Sequence, residues 1–281
     1  MPGTLYLVAT PIGNLEDITL RALRILREAD LVACEDTRQT RKLLDHYGIH
    51  KPTVSYHEHN EAVRAPELIE KLEAGASVAL VSDAGTPLVS DPGYRLVTHA
   101  IAKGIRVEPL PGPSAALAAL AASGLPTDEF HFGGFLPPRS AQRRKTLQRL
   151  KDEPATLVFY EAPHRLLDTL ADIEEVLGPR PVVVARELTK LHEEFLRGTA
   201  AELRRAHITL KGEFTLLVAK AERQEVRDET PVPDAVEAHV RAGMSRMDAM
   251  KAVARERGLS KRDVYREVEE APHGPAAQQR G

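Results

Sequence analysis

Along most of this chain, short runs rich in Val, Leu and Ile alternate with stretches of helical period. A strand buried on both faces reads as a continuous apolar run, and a helix that covers it reads with apolar residues three or four apart. The alternation therefore predicts an α/β fold with helices packed on sheets. Strands are expected at Leu5 to Ala9, Leu31 to Cys34, Ser77 to Val81 and Arg106 to Leu110. Between them, Ile18 to Glu28 places Leu20, Leu23, Ile25 and Leu26 on one side of a helix, and Pro66 to Ala74 reads as another. A second series begins near Gly124, with strands at Phe130 to Phe132, Thr156 to Tyr160, Val182 to Ala185, Glu194 to Arg197 and Phe214 to Ala219. Its helical patterns are Gln142 to Leu150 and Leu166 to Leu177.

At roughly 100 to 200 residues per domain, 281 residues predict two α/β domains, 1–122 and 123–222. Arg223 to Pro233 is polar, ends in Pro231 and Pro233, and reads as a linker. Within 234–270, Val236 to Arg241, Arg246 to Arg257 and Lys261 to Glu270 form a three-helix unit of helix-turn-helix size, in which Gly258 ends one helix and Ser260 caps the next. Residues 271–281 have almost no apolar content and are expected to be disordered. No apolar run approaches the ~20 residues of a membrane-spanning helix, and the first residues lead directly into a strand without a signal-peptide pattern. A lone cysteine, Cys34, lies in an apolar run and reads as a buried inert thiol. The expected compartment is the cytoplasm.

Three loops rich in Gly and Pro follow strands of the first series: Thr10-Pro11-Ile12-Gly13-Asn14, Ser82-Asp83-Ala84-Gly85-Thr86-Pro87 and Pro111-Gly112-Pro113-Ser114-Ala115. Loops at the carboxyl ends of strands share one edge of an α/β sheet, where ligands bind. Any one of them is more readily an ordinary strand-to-helix turn, but three at one edge favour a ligand site. None is a G-x-G-x-x-G loop or a Walker loop. With no lysine present and Asp83 available, a cationic ligand fits better than a phosphorylated one.

The ordered segments TPIGNLEDITLRAL, EDTRQTRKLL, HEHNE, LVSDAGTPLVSDPGYRLV, PLPGPSAALAALAASGLP, FGGFLPPR, FYEAPHRL, ARELTKLHEEFLRGT and GEFTLLV closely resemble the ribosomal RNA small subunit methyltransferase I family of the tetrapyrrole methylase superfamily. The resemblance runs from about Leu5 to Ala219, and the three-helix tail resembles that family's C-terminal unit. It implies two α/β domains with S-adenosylmethionine in the cleft between them. The implied reaction is methyl transfer to the ribose 2′-hydroxyl of a cytidine in the decoding region of 16S rRNA, as free RNA or as the small ribosomal subunit, by a homodimer. Position by position, the resemblance carries cofactor contacts onto Pro11 and Ile12, onto Asp83, Gly85, Thr86 and Val89, onto Ser114 and Ala115, onto Tyr160 and Glu161, and onto Leu188 and Thr189. The first loop departs from the superfamily's more glycine-rich and acidic pattern, with Thr10, Pro11 and Asn14 in its place.

A ribose hydroxyl is a weak acid, so a base or hydrogen-bonding group near it would help. His57 and His59 follow one strand and Asp36 follows another, so all three are candidates on the sheet edge that carries the loops; histidine titrates nearest neutrality. His57 and His59 are equally readable as loop residues bonded to backbone. The His-x-His pair lacks a third ligand at metal-site spacing, so no metal is expected. Asp36, three residues before Gln39, is also readable as a capping box for a helix Thr40 to His46, and Glu161 with Arg165 as a structural ion pair.

The formal net charge of −3 does not suggest a nucleic-acid binder. Yet Arg139, Arg143, Arg144, Lys145, Arg149 and Lys151 fall within one segment without an acid, and on a helix they would form one exposed basic face for phosphate contacts. Arg38, Lys261 and Arg262 are further RNA-side candidates. Two other readings remain open at this stage, a small-molecule tetrapyrrole-type methylase and a non-catalytic RNA-binding assembly factor. The basic segment and helical tail argue against the first, and the cofactor loops against the second.

Overall fold

The computed structural model describes residues 2–221 and 230–270. The first series forms β1 (Thr4–Val8), α1 (Leu20–Glu28), β2 (Leu31–Cys34), α2 (Thr37–His46), β3 (Thr53–Ser55), α3 (Glu61–Glu73), β4 (Val78–Val81), α4 (Tyr94–Ala102) and β5 (Arg106–Leu110). Its strands are all parallel, in the order β3-β2-β4-β1-β5. Alternate side chains bury on opposite faces. Val8, Val32, Ala79 and Val81 pack with α1 and α2, and Leu5, Ala33, Val78 and Leu80 pack with α3 and α4.

After α5 (Ala115–Ser123) the second series forms β6 (Phe130–Phe135), α6 (Ser140–Arg149), β7 (Thr156–Glu161), α7 (Leu166–Leu177), β8 (Pro181–Arg186), β9 (Glu194–Thr199), α8 (Ala200–Arg205) and β10 (Phe214–Val218). The strand order is β6-β7-β10-β8-β9, with β6 and β7 parallel and the other pairings antiparallel. Leu157, Phe159, Val182, Val184 and Leu216 face α6, α7 and α8. The opposite face, with Val158, Val183, Ala185 and Leu217, packs on Ala116, Ala119 and Leu120 of α5. The small alanines of α5 let its backbone lie close to the sheet, and Arg197 of β9 donates to the Ala122 and Ser123 carbonyls at its C-terminus. The two sheets thus belong to one compact unit, Met1–Ala221.

A second unit holds α9 (Val232–Arg241), α10 (Arg246–Glu256) and α11 (Lys261–Glu270), packed around Val236, Ala249, Val253 and Val264. Gly258 has φ of 64°, and Ser260 Oγ accepts from the Asp263 N–H at 3.1 Å, so the turn forms as its residues predict.

Four expectations are corrected. The helix read from Pro66 begins five residues earlier, at Glu61, because a proline one turn in removes a single backbone bond without ending a helix packed through Ala65, Leu68 and Leu72. Helix α2 begins at Thr37, not Thr40, with Asp36 as its cap. Leu20 does not share the buried stripe of α1. It opens the helix beside the capping Thr19 and is 86% exposed. The predicted linker is shorter, since α9 begins at Val232 with Pro233 in its first turn, where a missing N–H is tolerated. The rest of the linker and residues 271–281 lie outside the described residues.

Candidate active site

The strand order brings distant loops together. Strands β4, β1 and β5 are neighbours, so the loops after Val81, Val8 and Leu110 stand side by side at the carboxyl edge of the first sheet. From the second sheet, β7 and β8 contribute their carboxyl ends, and antiparallel β10 contributes its beginning, Phe214 standing opposite both Glu161 and Arg186. Between these two edges lies a cavity of about 380 Å³, within the range of small-molecule sites.

Backbone contacts knit the walls. Thr10 N–H donates to the Gly85 carbonyl at 2.9 Å, and Gly85 N–H returns to the Thr10 carbonyl at 3.0 Å. Gly85 makes this bridge at φ of 82°, a conformation open to glycine at little cost. Thr86 Oγ1 donates to the Pro113 carbonyl at 3.2 Å, tying the second loop to the third. The first loop also meets the second sheet. Asn14 N–H donates to Thr189 Oγ1 at 3.1 Å, and a Cβ on Gly13 would stand 2.4 Å from Lys190 Cγ, so a side chain there would force the Lys190 side chain to shift.

Ten of the twelve residues expected to hold the cofactor line this cavity: Ile12, Asp83, Gly85, Thr86 and Val89; Ser114 and Ala115; Tyr160, Glu161 and Leu188. Pro11 and Thr189 do not. Pro11, within the first loop, is buried, and Thr189 is spent on Asn14. Sequence reasoning missed Ser90, Asp91 and Phe135, and also Glu213, Phe214 and Thr215. The last three were hidden because an antiparallel strand reaches this edge with its beginning. Ser90 and Asp91 belong to the same segment as Asp83, LVSDAGTPLVSDPG, whose second half was readable as loop.

Four carboxyl groups line the cavity and no basic side chain does. Glu161 is fully paired: it accepts from the Ala162 N–H at 2.8 Å and from Thr169 Oγ1 at 2.6 Å, and pairs with Arg165 at 3.1 Å. The structural ion pair is therefore what forms at Glu161. Glu213 pairs with Lys190 at 3.0 Å. Asp83 Oδ1 accepts the Asp36 N–H at 3.0 Å. Among the described residues, neither Asp83 nor Asp91 has an ion-pair partner. Burial, with the negative Glu35 and Asp83 nearby, pushes Asp91 up to about 6, the Ser82 hydroxyl acting the other way. Burial and Asp83 also push Glu35 up.

The residues expected to act in catalysis stand outside the cavity. Strand β3, which leads into the loop bearing His57, lies beyond β2 from β4, and each strand step is about 4.8 Å. Asn60 holds His57: its Oδ1 accepts the His57 N–H at 2.9 Å, which leaves its amide nitrogen to donate toward His57 Nε2 at 3.1 Å. The other ring nitrogen, Nδ1, is buried without a hydrogen-bond partner among the described residues, so neither ring nitrogen is presented to the cavity. His59 is exposed, its ring 6.0 Å from that of His57. Asp36 caps α2 through the Arg38 N–H at 2.8 Å and binds the Arg38 guanidinium through both oxygens, which holds its carboxyl down at about 2. Gln39 turns away to Lys42, so the capping box is not completed.

The basic face of α6 needs correction. Arg143 is only 3% exposed and its Nε meets Asp172 of α7 at 2.6 Å, while Arg144 meets Asp172 at 2.7 Å and Glu175 at 2.6 Å. Ser140 Oγ adds a donor to Asp172 at 2.9 Å. Burial pushes Asp172 up, yet Arg144, Arg143 and Ser140 outweigh it and hold the carboxyl below its usual range. Local sequence could not show this, because the acids come from a helix some thirty residues away. Arg139, Lys145 and Arg149 remain exposed. In the other unit, Lys261 and Arg262 are exposed at the start of α11.

The sequence profile of the Tetrapyrrole (Corrin/Porphyrin) Methylases matches residues 4–204. Ribosomal RNA small subunit methyltransferase I of Halalkalibacterium halodurans is 54% identical, covering 94% of this chain and 93% of its own, and that of Bacillus subtilis is 46% identical, covering 94% and 93%. Among solved structures, diphthine synthase superposes with a TM-score of 0.63 at 17% identity, covering 78% of this chain and 91% of its own. Uroporphyrin-III C-methyltransferase from Thermus thermophilus, complexed with S-adenyl homocysteine, superposes at 0.56 with 22% identity, covering 77% and 97%. The fold is that of the tetrapyrrole methylases, and the identity sustained over nearly the whole length shows that the chain belongs to the ribosomal RNA small subunit methyltransferase I family.

Proposed function

We propose that this protein uses S-adenosylmethionine to methylate the ribose 2′-hydroxyl of a cytidine in the decoding region of 16S rRNA. The observation that carries the reading is the cavity between the two sheet edges, closed by loops from both halves and lined by carboxyl groups with no basic side chain. That donor set fits a sulfonium nucleoside. Ile12, Val89, Ala115 and Leu188 offer apolar wall, Gly85 and Ser114 offer backbone, and Asp83 and Asp91 offer negative charge to a cation. When bound, S-adenosylmethionine supplies an activated methyl group, so the protein's own work is to align the acceptor and manage its proton. Alignment of this kind contributes about 7 to 11 kcal/mol in favourable cases.

Support for an rRNA substrate comes from the relatives' names and from exposed Arg139, Lys145 and Arg149, whose charges suit phosphates. Arg38, His59, Lys261 and Arg262 are exposed and suit RNA contact better than chemistry. Arg143 and Arg144 hold α6 against α7 in this reading. No helix among the described residues is long and apolar enough to cross a membrane, which accords with work in the cytoplasm, and we take the working form to be a homodimer.

The test is calorimetric titration with S-adenosylmethionine, followed by transfer of a labelled methyl group to 16S rRNA or small subunits and nucleoside analysis of the product. The expected product is 2′-O-methylcytidine. Methylation of a porphyrinoid but not of RNA would replace the reading with a small-molecule methylase. RNA binding without cofactor binding would replace it with an assembly factor.

A further inference from the structure

We propose that Phe135 is the platform on which the base of the acceptor nucleotide stacks, with Arg139 holding a phosphate of the same strand. The inference rests on the proposed function above and adds how the substrate is held. A cavity of about 380 Å³ between two sheet edges has no room for a paired RNA helix. The acceptor nucleotide therefore has to leave its stack to bring a ribose hydroxyl inside, and a splayed base is recognised by stacking on an aromatic side chain.

A bulge in β6 aims the ring. The strand pairs in parallel with β7, yet Phe132 stands opposite Val158 and Phe135 opposite Tyr160, so three steps on β6 span two on β7. Side chains alternate along a regular strand, which would put Phe135 on the opposite face from Phe132. The extra residue returns it to the face of Phe132 and Tyr160. There the Tyr160 ring meets both edge to face, with centroids 5.6 Å from Phe135 and 5.0 Å from Phe132. Gly134 makes the bulge at φ of 60°, and a Cβ on Gly133 would stand 2.6 Å from Phe159 Cε1.

The backbone beyond the ring is braced. Arg165 donates to the Leu136 and Pro137 carbonyls, and Arg143 donates to the Pro138 carbonyl at 3.3 Å. Both arginines are themselves held, by Glu161 and by Asp172. Leu136 is buried, and Pro137 and Pro138 restrict the chain that follows it. Two side chains of this rigid segment are left to solvent. Phe135 is 55% exposed while lining the cavity, and Arg139 is exposed without an ion-pair partner among the described residues. The opposing walls Ile12 and Leu188 are each 8% exposed, so they enclose what lies deepest, and the ring at the rim meets what enters from outside.

Ring and cation together suit a single strand of nucleic acid. Arg139 lies four residues beyond Phe135, at most about 14 Å along the chain, so a strand with one base on the ring carries its phosphates past the guanidinium. Stacking tolerates any base, because every base has a π-face. Phe135 therefore sets the position of the acceptor and leaves the choice of cytidine to other contacts. Because the platform is already ordered, little further order is lost when the base arrives.

The experiment is single-turnover methylation of small subunits against enzyme concentration, at saturating S-adenosylmethionine. F135A should raise the half-saturating concentration roughly 10- to 100-fold. F135L, which keeps bulk without a π-face, should do the same, whereas F135Y and F135W should stay near wild type. R139Q should raise it less and lower its salt slope by about 1. Calorimetry should find cofactor affinity unchanged in all of them. If F135A does not fold, F135L carries the comparison. An F135L enzyme that saturates like wild type, or F135Y and F135W as poor as F135L, overturns the inference. So does a loss of cofactor affinity in F135L, which would make the ring a cofactor contact, or a changed oligomeric state by light scattering, which would make it a subunit contact. An unaltered salt slope in R139Q removes Arg139 from the platform. If wild-type product is not 2′-O-methylated, the proposed function fails and the inference falls with it. If wild-type product is 2′-O-methylcytidine and the leucine variant saturates equally well, the inference alone fails.

Discussion

At the junction of α6 and α7, opposite charges are gathered and cancelled inside the protein. At the carboxyl edge of the first sheet, like charges are gathered and left uncancelled. Arg143, Arg144 and Ser140 surround Asp172 and hold it ionised below its usual range. Glu35, Asp83 and Asp91 crowd one another, and the last two lack an ion-pair partner among the described residues. The first arrangement holds helices together. The second opposes folding and is tolerated where a cationic ligand would complete it, which is the pattern of a functional site. A run of charge in sequence does not reveal which of the two it will become.

The largest effect should come from breaking the cancelled pair. D172N leaves Arg143 buried without its counter-charge, and removing one partner of a buried pair costs about 3 to 5 kcal/mol. Urea unfolding should show that cost, and replacing Arg143 with Met and Asp172 with Leu together should recover most of it. If D172N unfolds like wild type, the junction is not holding the helices.

Next in size is the uncancelled edge. D83A should weaken S-adenosylmethionine binding by roughly 10- to 100-fold, the span of one charge-assisted hydrogen bond, without the stability cost of D172N. Unchanged affinity by calorimetry would put the cofactor elsewhere.

The same contrast sets opposite pH trends. The folded-state carboxyl of Asp172 is depressed, so its contribution is present above its ordinary value of 3.8 and fades as pH falls through the folded value. Wild type should therefore lose stability below about pH 4 more steeply than the double replacement. Parallel acid curves would show that Asp172 plays no such part.

A smaller effect is expected on RNA. Charge reversal at exposed Lys145 and Arg149 should lower the salt slope of RNA binding by about 1 for each phosphate no longer neutralised and leave melting unchanged. Reversal at Arg144 should act chiefly on stability through Asp172 and Glu175. The smallest effect is expected for His59→Ala, whose exposed ring should contribute little to turnover; a large drop would return the base to that loop.

Much of the fold was legible in the residues. Strand β2 forms at the bounds its apolar run indicates, because a buried parallel strand leaves an uninterrupted signal. Pro66 misled because packing through Leu68 and Leu72 overrides one missing backbone bond. The three loops were legible as a site, since glycine and proline mark where backbone must approach a ligand or another loop. Their union was not, because it depends on strand order, and neither were the cavity walls from β10, which arrive by an antiparallel strand. The neutralisation of Arg143 was hidden for the same reason: its partner is near in space and far in sequence.

That the cavity serves methyl transfer to an rRNA ribose is tested most directly by mapping 2′-O-methylated nucleotides in 16S rRNA from cells with and without this gene. One decoding-region cytidine should be methylated when the gene is present, unmethylated when it is deleted, and restored by the wild-type gene but not by D83A. An identical map in the two strains would contradict methyl transfer by this protein.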